Sequence, residues 1–248
     1  MTRPRGRPPG TYGVDAPRTP IIGATLGILV VSAGIVGCFF LDPLDGPVWL
    51  MLVGALMLAT TAVFLHTTLR GKFVVWAELL DGLGLDPGET VLDMGCGRGA
   101  VLILAAQRLR TGEAIGIDLW RNVDQSGNDA GATTSNMAAA GVAERAGLCT
   151  GDMVMMPFAD RSVDVVLSSL AIHNIPGRRS RESAVREALR VVRPGGRMMI
   201  VDIRHATAYA DVLAGAGCVD VDRRALGWRY WYGGPWVSPR VVTATRPR

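Results

Sequence analysis

The chain has 248 residues, of which 49% are hydrophobic, with a mean hydropathy of +0.26 and a formal net charge of +4. That length accommodates one full α/β domain plus something small. Lys72 is the sole lysine among many arginines, so the positive balance reflects composition and implies no nucleic acid partner. Cys38, Cys96, Cys149 and Cys218 are scattered without metal-ligand spacing and read as reduced residues.

The hydrophobic excess lies at the front. Residues 1–20, rich in Pro, Gly and Arg, read as a disordered basic tail. Thr19 to Leu41 and Gly46 to Leu69 carry no charge, and each run meets the roughly 20-residue length of a membrane-spanning helix. Asp42-Pro43-Leu44-Asp45 between them reads as a tight turn, so residues 21–69 are expected to form a transmembrane hairpin. Arg3, Arg5 and Arg7 before an apolar run also suit a signal peptide, and Ile35-Val36-Gly37-Cys38 resembles a lipoprotein cleavage box. Against processing, the run is longer than a signal core and a second span follows at once. Arg3, Arg5, Arg7 and Arg18 precede the first span, Arg70 and Lys72 follow the second, and the connecting turn is acidic. The positive-inside rule then puts both termini and residues 70–248 in the cytoplasm.

Phe73–Leu83 has apolar residues at helical spacing, and Thr90–Met94 reads as a buried strand. Gly95, Gly97 and Gly99 alternate directly after it, and a helical pattern begins at Ala100 and runs to about Arg110. Such a turn brings backbone close to a ligand and aims free amides at it. Gly95, Gly97 and Ala100 also satisfy the loose dinucleotide pattern. Asp93, inside the strand and two residues before the first glycine, suits a cationic ligand instead. A second strand, Ala114–Asp118, ends on an acid close to the distance at which Rossmann-type folds place a carboxylate on a ribose.

Further along, the polar loop Trp120–Asn128 precedes a helix at Ala130–Ala140 and a strand at Ala146–Thr150. Gly151-Asp152-Met153 and a proline and aromatic at Pro157-Phe158 lead to a fourth strand, Val163–Leu170, with His173 just beyond. Ser180–Val192 is an amphipathic helix, turned by Pro194-Gly195-Gly196 into the strand Met198–Asp202. A helix at Ala206–Ala216, a strand at Val219–Arg223, a cluster of aromatics from Trp228 to Trp236 and a last strand at Val237–Thr245 complete the chain. The aromatics suit a hairpin packed on the sheet, a bilayer interface or an apolar substrate.

The stretch Val91-Leu92-Asp93-Met94-Gly95-Cys96-Gly97-Arg98-Gly99 resembles motif I of the class I (Rossmann-like) S-adenosylmethionine-dependent methyltransferases. Leu189-Arg190-Val191-Val192-Arg193-Pro194-Gly195-Gly196-Arg197 resembles the post-motif of their small-molecule members, including ubiquinone/menaquinone C-methyltransferases. The resemblance runs from about Leu79 to the C-terminus. It implies a doubly wound, mostly parallel seven-stranded sheet behind two transmembrane helices, with S-adenosyl-L-methionine as cofactor. It also implies a cofactor site formed by Asp93, Gly95, Cys96, Gly97, Gly99, Asp118, Leu119, Trp120, Asp152, Met153 and Ser169. In that site Asp152 would accept from the adenine amino group and Trp120 could stack on the adenosine. No Asn/Asp-Pro-Pro-aromatic motif follows the fourth strand, which argues against methylation of DNA amino groups.

His173 is the first candidate for a general base and His205, at the end of the following strand, the second; either could instead only shape a pocket. The expected acceptor is lipophilic (a quinone, phenol or lipid in the bilayer), methylated by direct in-line transfer. A soluble acceptor with the hairpin used only for localisation, and a non-catalytic membrane-tethered cofactor-binding protein, are the alternatives.

Overall fold

The computed structural model describes residues 6–121 and 125–248. It begins with a helical hairpin, α1 (Arg18–Gly37) and α2 (Pro47–His66), joined by a 3-10 turn at Pro43–Asp45. Asp42 starts that turn by accepting from the Leu44 amide at 3.0 Å. Small residues let the two helices touch: a Cβ on Gly54 would lie 2.8 Å from the Gly27 carbonyl oxygen. Both helices are long and apolar enough to cross a membrane. Ile21, Leu29, Leu52 and Leu56 are each more than half exposed, so the outer surface of the pair is apolar.

The second helix does not stop at the hairpin. It passes through a π-helical turn at Thr67–Gly71 into α3 (Lys72–Leu83), giving one helix of 37 residues that ends at left-handed Gly84. Nothing between His66 and Lys72 caps or breaks it, so the connecting helix expected from the sequence is a continuous extension of the hairpin. Gly71 is required there. A Cβ on it would sit 1.8 Å from the Arg229 carbonyl oxygen, so only glycine lets the C-terminal aromatic segment cross the helix.

The sheet has seven strands in the order β3-β2-β1-β4-β5-β7-β6. These are β1 (Thr90–Met94), β2 (Glu113–Asp118), β3 (Ala146–Thr150), β4 (Val163–Ser169), β5 (Val192–Asp202), β6 (Val219–Ala225) and β7 (Arg240–Thr245). β1 to β5 pair in parallel, and β7 runs antiparallel to both neighbours, the terminal hairpin that the sequence suggested.

The strand alternation sorts the core into two layers. Val91, Val165, Leu167, Met199 and Val201 face α3 and α4 (Ala100–Ala106). Leu92, Met94, Val166, Met198 and Ile200 face α6 (Arg178–Val191) and α7 (Ala206–Gly215). Asp93 falls on the first of these faces. α4 is shorter than the sequence suggested because the Pro87 carbonyl collects the amides of Arg110, Thr111 and Gly112. α5 (Ala130–Ala139) starts where Asp129 accepts from the Ala132 amide.

The expectation of a disordered tail to residue 20 is corrected for Gly6 onward. Tyr12 is 1% exposed and packs edge-on against Phe73, with ring centroids 5.0 Å apart. Asn136 holds Thr11 through both its amide and its carbonyl, and Ser126 accepts from the Val14 amide. One buried aromatic and a set of long-range backbone bonds outweigh a disorder-like composition.

Candidate active site

The strand order reverses between β1 and β4, and parallel sheets leave a crevice at the carboxyl ends of strands at such a point. A cavity of about 790 Å³ occupies it. Asp93, Gly95, Cys96, Gly97, Asp118, Leu119, Asp152, Met153, Ser169 and His173 all line this cavity. The structure therefore brings together residues that lie 80 positions apart in the chain.

Asp93 is 1% exposed, and neither carboxylate oxygen makes a hydrogen bond of normal geometry. Burial pushes its pKa up to about 7; the Leu102 amide pulls the other way and the neighbouring Asp118 adds to the rise. A buried carboxyl without a partner is costly. Its presence in a cavity wall fits a cationic ligand group such as the ammonium of S-adenosyl-L-methionine.

The glycine turn works differently from the sequence expectation. Its amides are already used: Gly95 and Cys96 donate to the Ile117 carbonyl, and Gly99 donates to Cys96. Gly97 donates to Asp118 at 2.8 Å and Arg98 to Gln125 at 3.0 Å. The contribution of the turn is close approach. A Cβ on Gly95, whose φ is +72°, would sit 2.2 Å from the Ala171 Cβ and 3.4 Å from the Met153 sulfur.

Asp118 also accepts from the Trp120 amide at 2.6 Å and from Asn128 at 3.3 Å, which fixes its carboxylate at the end of β2. Asp152 accepts from the Val154 amide. Cys96 is buried, and that burial, with Asp93 second, pushes its thiol well above the ordinary range, so it stays protonated.

Three expected residues do not join the cavity wall. Trp120 donates its indole N–H to the Thr150 hydroxyl at 2.8 Å and is not among the residues lining the cavity. Gly99 is the left-handed residue that starts α4 and lies behind the turn. His205, in the left-handed region at φ 63°, is exposed and belongs to a separate shallow groove beside Arg178 and Tyr209. Burial first, then Arg181, lowers its pKa. Asn122, Val123 and Asp124 of the polar loop lie outside the described residues.

His173 sits in the 3-10 turn Ile172–Asn174 after β4. Its Nδ1 lies 2.5 Å from Asp202 Oδ1, at an angle that falls short of a hydrogen bond. Its main-chain amide donates to the other Asp202 oxygen at 3.0 Å. Asp202 is 1% exposed and also accepts from the Tyr209 hydroxyl at 3.2 Å. Asp164, by contrast, is structural: it accepts from the Thr90 amide and pairs with Arg193 at 2.7 Å.

Residues that the sequence did not assign to the cofactor site close the other side of the cavity. Asp15, Thr19, Phe64, Lys72, Trp76 and Tyr232 line it, bringing the N-terminal segment, both hairpin helices and the C-terminal aromatics to one place. Trp76 donates to Ser169 at 2.9 Å and to the Tyr230 hydroxyl at 3.1 Å. Asp15 accepts from Lys72 at 2.8 Å and from the Tyr232 hydroxyl at 2.8 Å. The aromatic spacing was a usable signal for Tyr230 and Tyr232; nothing local marked Asp15.

Residues 92–200 match the methyltransferase domain family. Over 129 residues the chain is 33% identical to a ubiquinone/menaquinone biosynthesis C-methyltransferase of Roseobacter denitrificans, covering 52% of this chain and 48% of that protein. An arsenite methyltransferase of Halobacterium salinarum is 32% identical over 152 residues, covering 56% of this chain and 36% of that protein. The chain thus spans about half or less of the length of these relatives. A geranyl diphosphate methyltransferase in complex with S-adenosylmethionine shares the fold, with a TM-score of 0.56 at 19% identity over 68% of this chain and 84% of that one.

Proposed function

We propose, starting from the class I S-adenosylmethionine-dependent methyltransferase domain that the chain carries, that the whole protein is a membrane-anchored enzyme methylating a lipophilic small molecule. The cofactor is S-adenosyl-L-methionine, and when bound it supplies an electrophilic methyl group on a sulfonium. The observation that carries the proposal is one cavity walled on one side by Asp93 and the glycine turn and on another by the base of an apolar helical hairpin. Phe64, Phe73, Trp76 and Tyr232 give that second wall an aromatic surface.

In the mechanism, Asp93 would hold the ammonium of the cofactor, Asp118 its ribose hydroxyls and Asp152 its adenine amino group. Close approach at Gly95 sets the distance between the cofactor-binding turn and β4. Holding two reactants aligned supplies most of the acceleration in such a transfer. His173 takes the proton from an acceptor hydroxyl or acidic carbon through Nε2, because Nδ1 faces Asp202. Asp202 orients the ring through its contacts with Nδ1 and the His173 main-chain amide.

The membrane reading is supported by the exposed apolar side chains of α1 and α2. In water such a surface far exceeds what a monomer leaves uncovered. With the hairpin inserted, the positive-inside rule puts the catalytic domain in the cytoplasm. The test is to incubate the full chain in phospholipid nanodiscs with methyl-labelled cofactor, against an organic-solvent extract and an aqueous extract of cells lacking the protein. Label in the organic-extract products, lost in His173→Ala, supports the proposal. Label only in water-soluble products rejects the lipophilic acceptor, and no transfer with intact cofactor binding rejects the enzyme.

A further inference from the structure

The geometry points to an acceptor subsite at the base of the hairpin, where Phe64, Phe73, Trp76 and Tyr232 hold the apolar part of a membrane-dissolved amphiphile. The amphiphile enters from the bilayer at the root of the hairpin, beside Thr19 of α1 and Phe64 of α2. This inference rests on the lipophilic-acceptor reading above and adds a route and an orientation to it.

The cavity wall includes Thr19 in the first turn of α1 and Phe64 in the last turn of α2. Those two turns lie at the same end of the hairpin, because a Cβ on Gly23 would meet the Thr61 hydroxyl at 2.6 Å. The space that begins at Asp93 and His173 therefore reaches the root of both apolar helices. Its volume, about 790 Å³, lies in the upper part of the roughly 300–1,000 Å³ range of small-molecule sites and leaves room for an acceptor beside a cofactor.

The cavity wall combines Asp93, Asp118, Asp152 and His173 with the aromatics of the hairpin root. Beside the hairpin, Lys72 and Asp15 neutralise each other at 2.8 and 3.0 Å, and Tyr232 donates its hydroxyl to the same carboxylate. Phe64, Phe73, Trp76 and Tyr232 are the aromatic members of the wall there. An acceptor with a compact polar head and an apolar chain is thereby oriented head toward His173 and chain toward the bilayer.

The segment that carries Tyr232 also marks the level of the lipid surface. Phe64 packs edge-on against Tyr232 at 5.1 Å, and His66 stacks on Trp228 at 5.4 Å. Trp228 and Trp236 remain 60% and 70% exposed beside the hairpin root, where indoles favour the interface.

The probe is a long-chain alkylphenol carrying a diazirine near its ring, added to the full chain in phosphatidylcholine nanodiscs with S-adenosylhomocysteine present. Photolabelled residues are mapped by mass spectrometry, with 4-dodecylphenol as competitor. Saturable labelling of Phe64 and Tyr232, reduced at least fivefold by the competitor, is expected. Val237 lines the cavity as Thr19 does, so Thr19→Trp and Val237→Trp narrow the space, and labelling should fall at least fivefold in either while S-adenosylhomocysteine affinity stays within twofold. A variant that loses that affinity is set aside as misfolded, and the wild-type map then decides alone. Labelling confined to the outer residues Ile21, Leu29 and Leu52, or undiminished in a cofactor-binding tryptophan variant, overturns the subsite. The readout needs no turnover. Methylation of lipid-soluble material without saturable labelling rejects the subsite and leaves the lipophilic-acceptor reading standing.

Discussion

Asp202 grips His173 twice, with one carboxylate oxygen 2.5 Å from the imidazole Nδ1 and the other accepting the His173 main-chain amide at 3.0 Å. The two contacts fix both the ring and the turn that carries it, and the Tyr209 hydroxyl fixes the carboxylate in turn. If His173 is the base, Asp202 positions it. His173→Ala should lower kcat roughly 100-fold, within the usual range for a general base, and Asp202→Asn roughly 10- to 100-fold. Residues acting as a unit are not additive. The double variant should therefore be no slower than His173→Ala, with S-adenosylhomocysteine affinity unchanged throughout by calorimetry. Additive losses would mean that Asp202 acts only on the fold.

Asp93 makes cofactor binding pH-dependent with a defined sign. Its pKa in the ligand-free protein is about 7, raised by burial, and only the carboxylate attracts an ammonium. At pH 6 about one-tenth of it is ionised, so S-adenosylhomocysteine affinity should fall roughly tenfold from pH 8 to pH 6. Calorimetry in buffers of different ionisation heat should show proton release on binding near pH 6. Asp93→Asn should bind weakly and lose both effects.

The same group predicts a stability trade. A carboxyl whose folded pKa exceeds its unfolded value contributes stability that is present below the unfolded value and is lost as pH rises through about 7. The ligand-free protein should therefore lose stability from pH 5 to pH 8. Asp93→Asn should raise its melting temperature at pH 8 by at least ~2 °C, the shift that about 1 kcal/mol gives a chain of this size. The gain should be smaller at pH 5. A variant less stable than wild type at pH 8 would contradict the account of Asp93 as an unpaired buried acid.

Much of the fold was legible because its signals are local. Val91, Leu92 and Met94 before Gly95 announce a buried strand and turn, and Pro194-Gly195-Gly196 marks the entry to the strand core of β5. Asp93, Asp118 and Asp152 were legible as cavity residues because each ends or follows a strand whose carboxyl end points to one crevice. Asp15 was not legible. Its role depends on Lys72, Gln125 and Tyr232, which meet it only through the tertiary fold. Tyr12 was hidden for a related reason, since a Pro- and Gly-rich neighbourhood conceals one aromatic whose pocket is supplied by Phe73. Trp120 suggests a ligand contact in the sequence and makes none of the cavity wall, because sequence does not tell which way a left-handed residue turns its ring.

Two glycines on the same long helix should respond oppositely to alanine. Gly71→Ala puts a methyl 1.8 Å from the Arg229 carbonyl oxygen and forces the aromatic segment off the helix. It should cost about 1–3 kcal/mol, as overpacking does, and redshift emission from the Trp228 region. A methyl added to Gly82 in α3 would meet nothing within 4 Å, so Gly82→Ala should stabilise by roughly 0.5–1 kcal/mol. Denaturant titrations of both in the same detergent check the pair. Similar changes in both would mean that the helix-to-segment contact carries no energy.

The N-terminal segment should govern how long the cofactor stays. Gln125 donates to the Tyr12 carbonyl at 3.0 Å and to Asp15 at 3.2 Å, while its own carbonyl accepts from the Arg98 amide in the glycine turn. Arg98 donates to Thr11 and Ser126, closing a second route between segment and turn. The segment thus braces the cofactor-binding turn from outside, and Tyr12 is the anchor that keeps it down. Tyr12→Ala removes a buried ring whose loss costs about 3–5 kcal/mol in a closed core. Here the segment can lift instead, so the melting temperature should change less than that figure implies. The Gln125 braces should be lost with it. The dissociation rate of S-adenosylhomocysteine, read by stopped-flow displacement, should rise at least fivefold, and cleavage after Arg18 by trypsin should accelerate. Asp15→Asn keeps the shape but loses the charge pairing with Lys72, and should produce a smaller change in the same direction. An unchanged off-rate in Tyr12→Ala, with trypsin cutting faster, would show that the segment is fastened to the domain without bracing the turn.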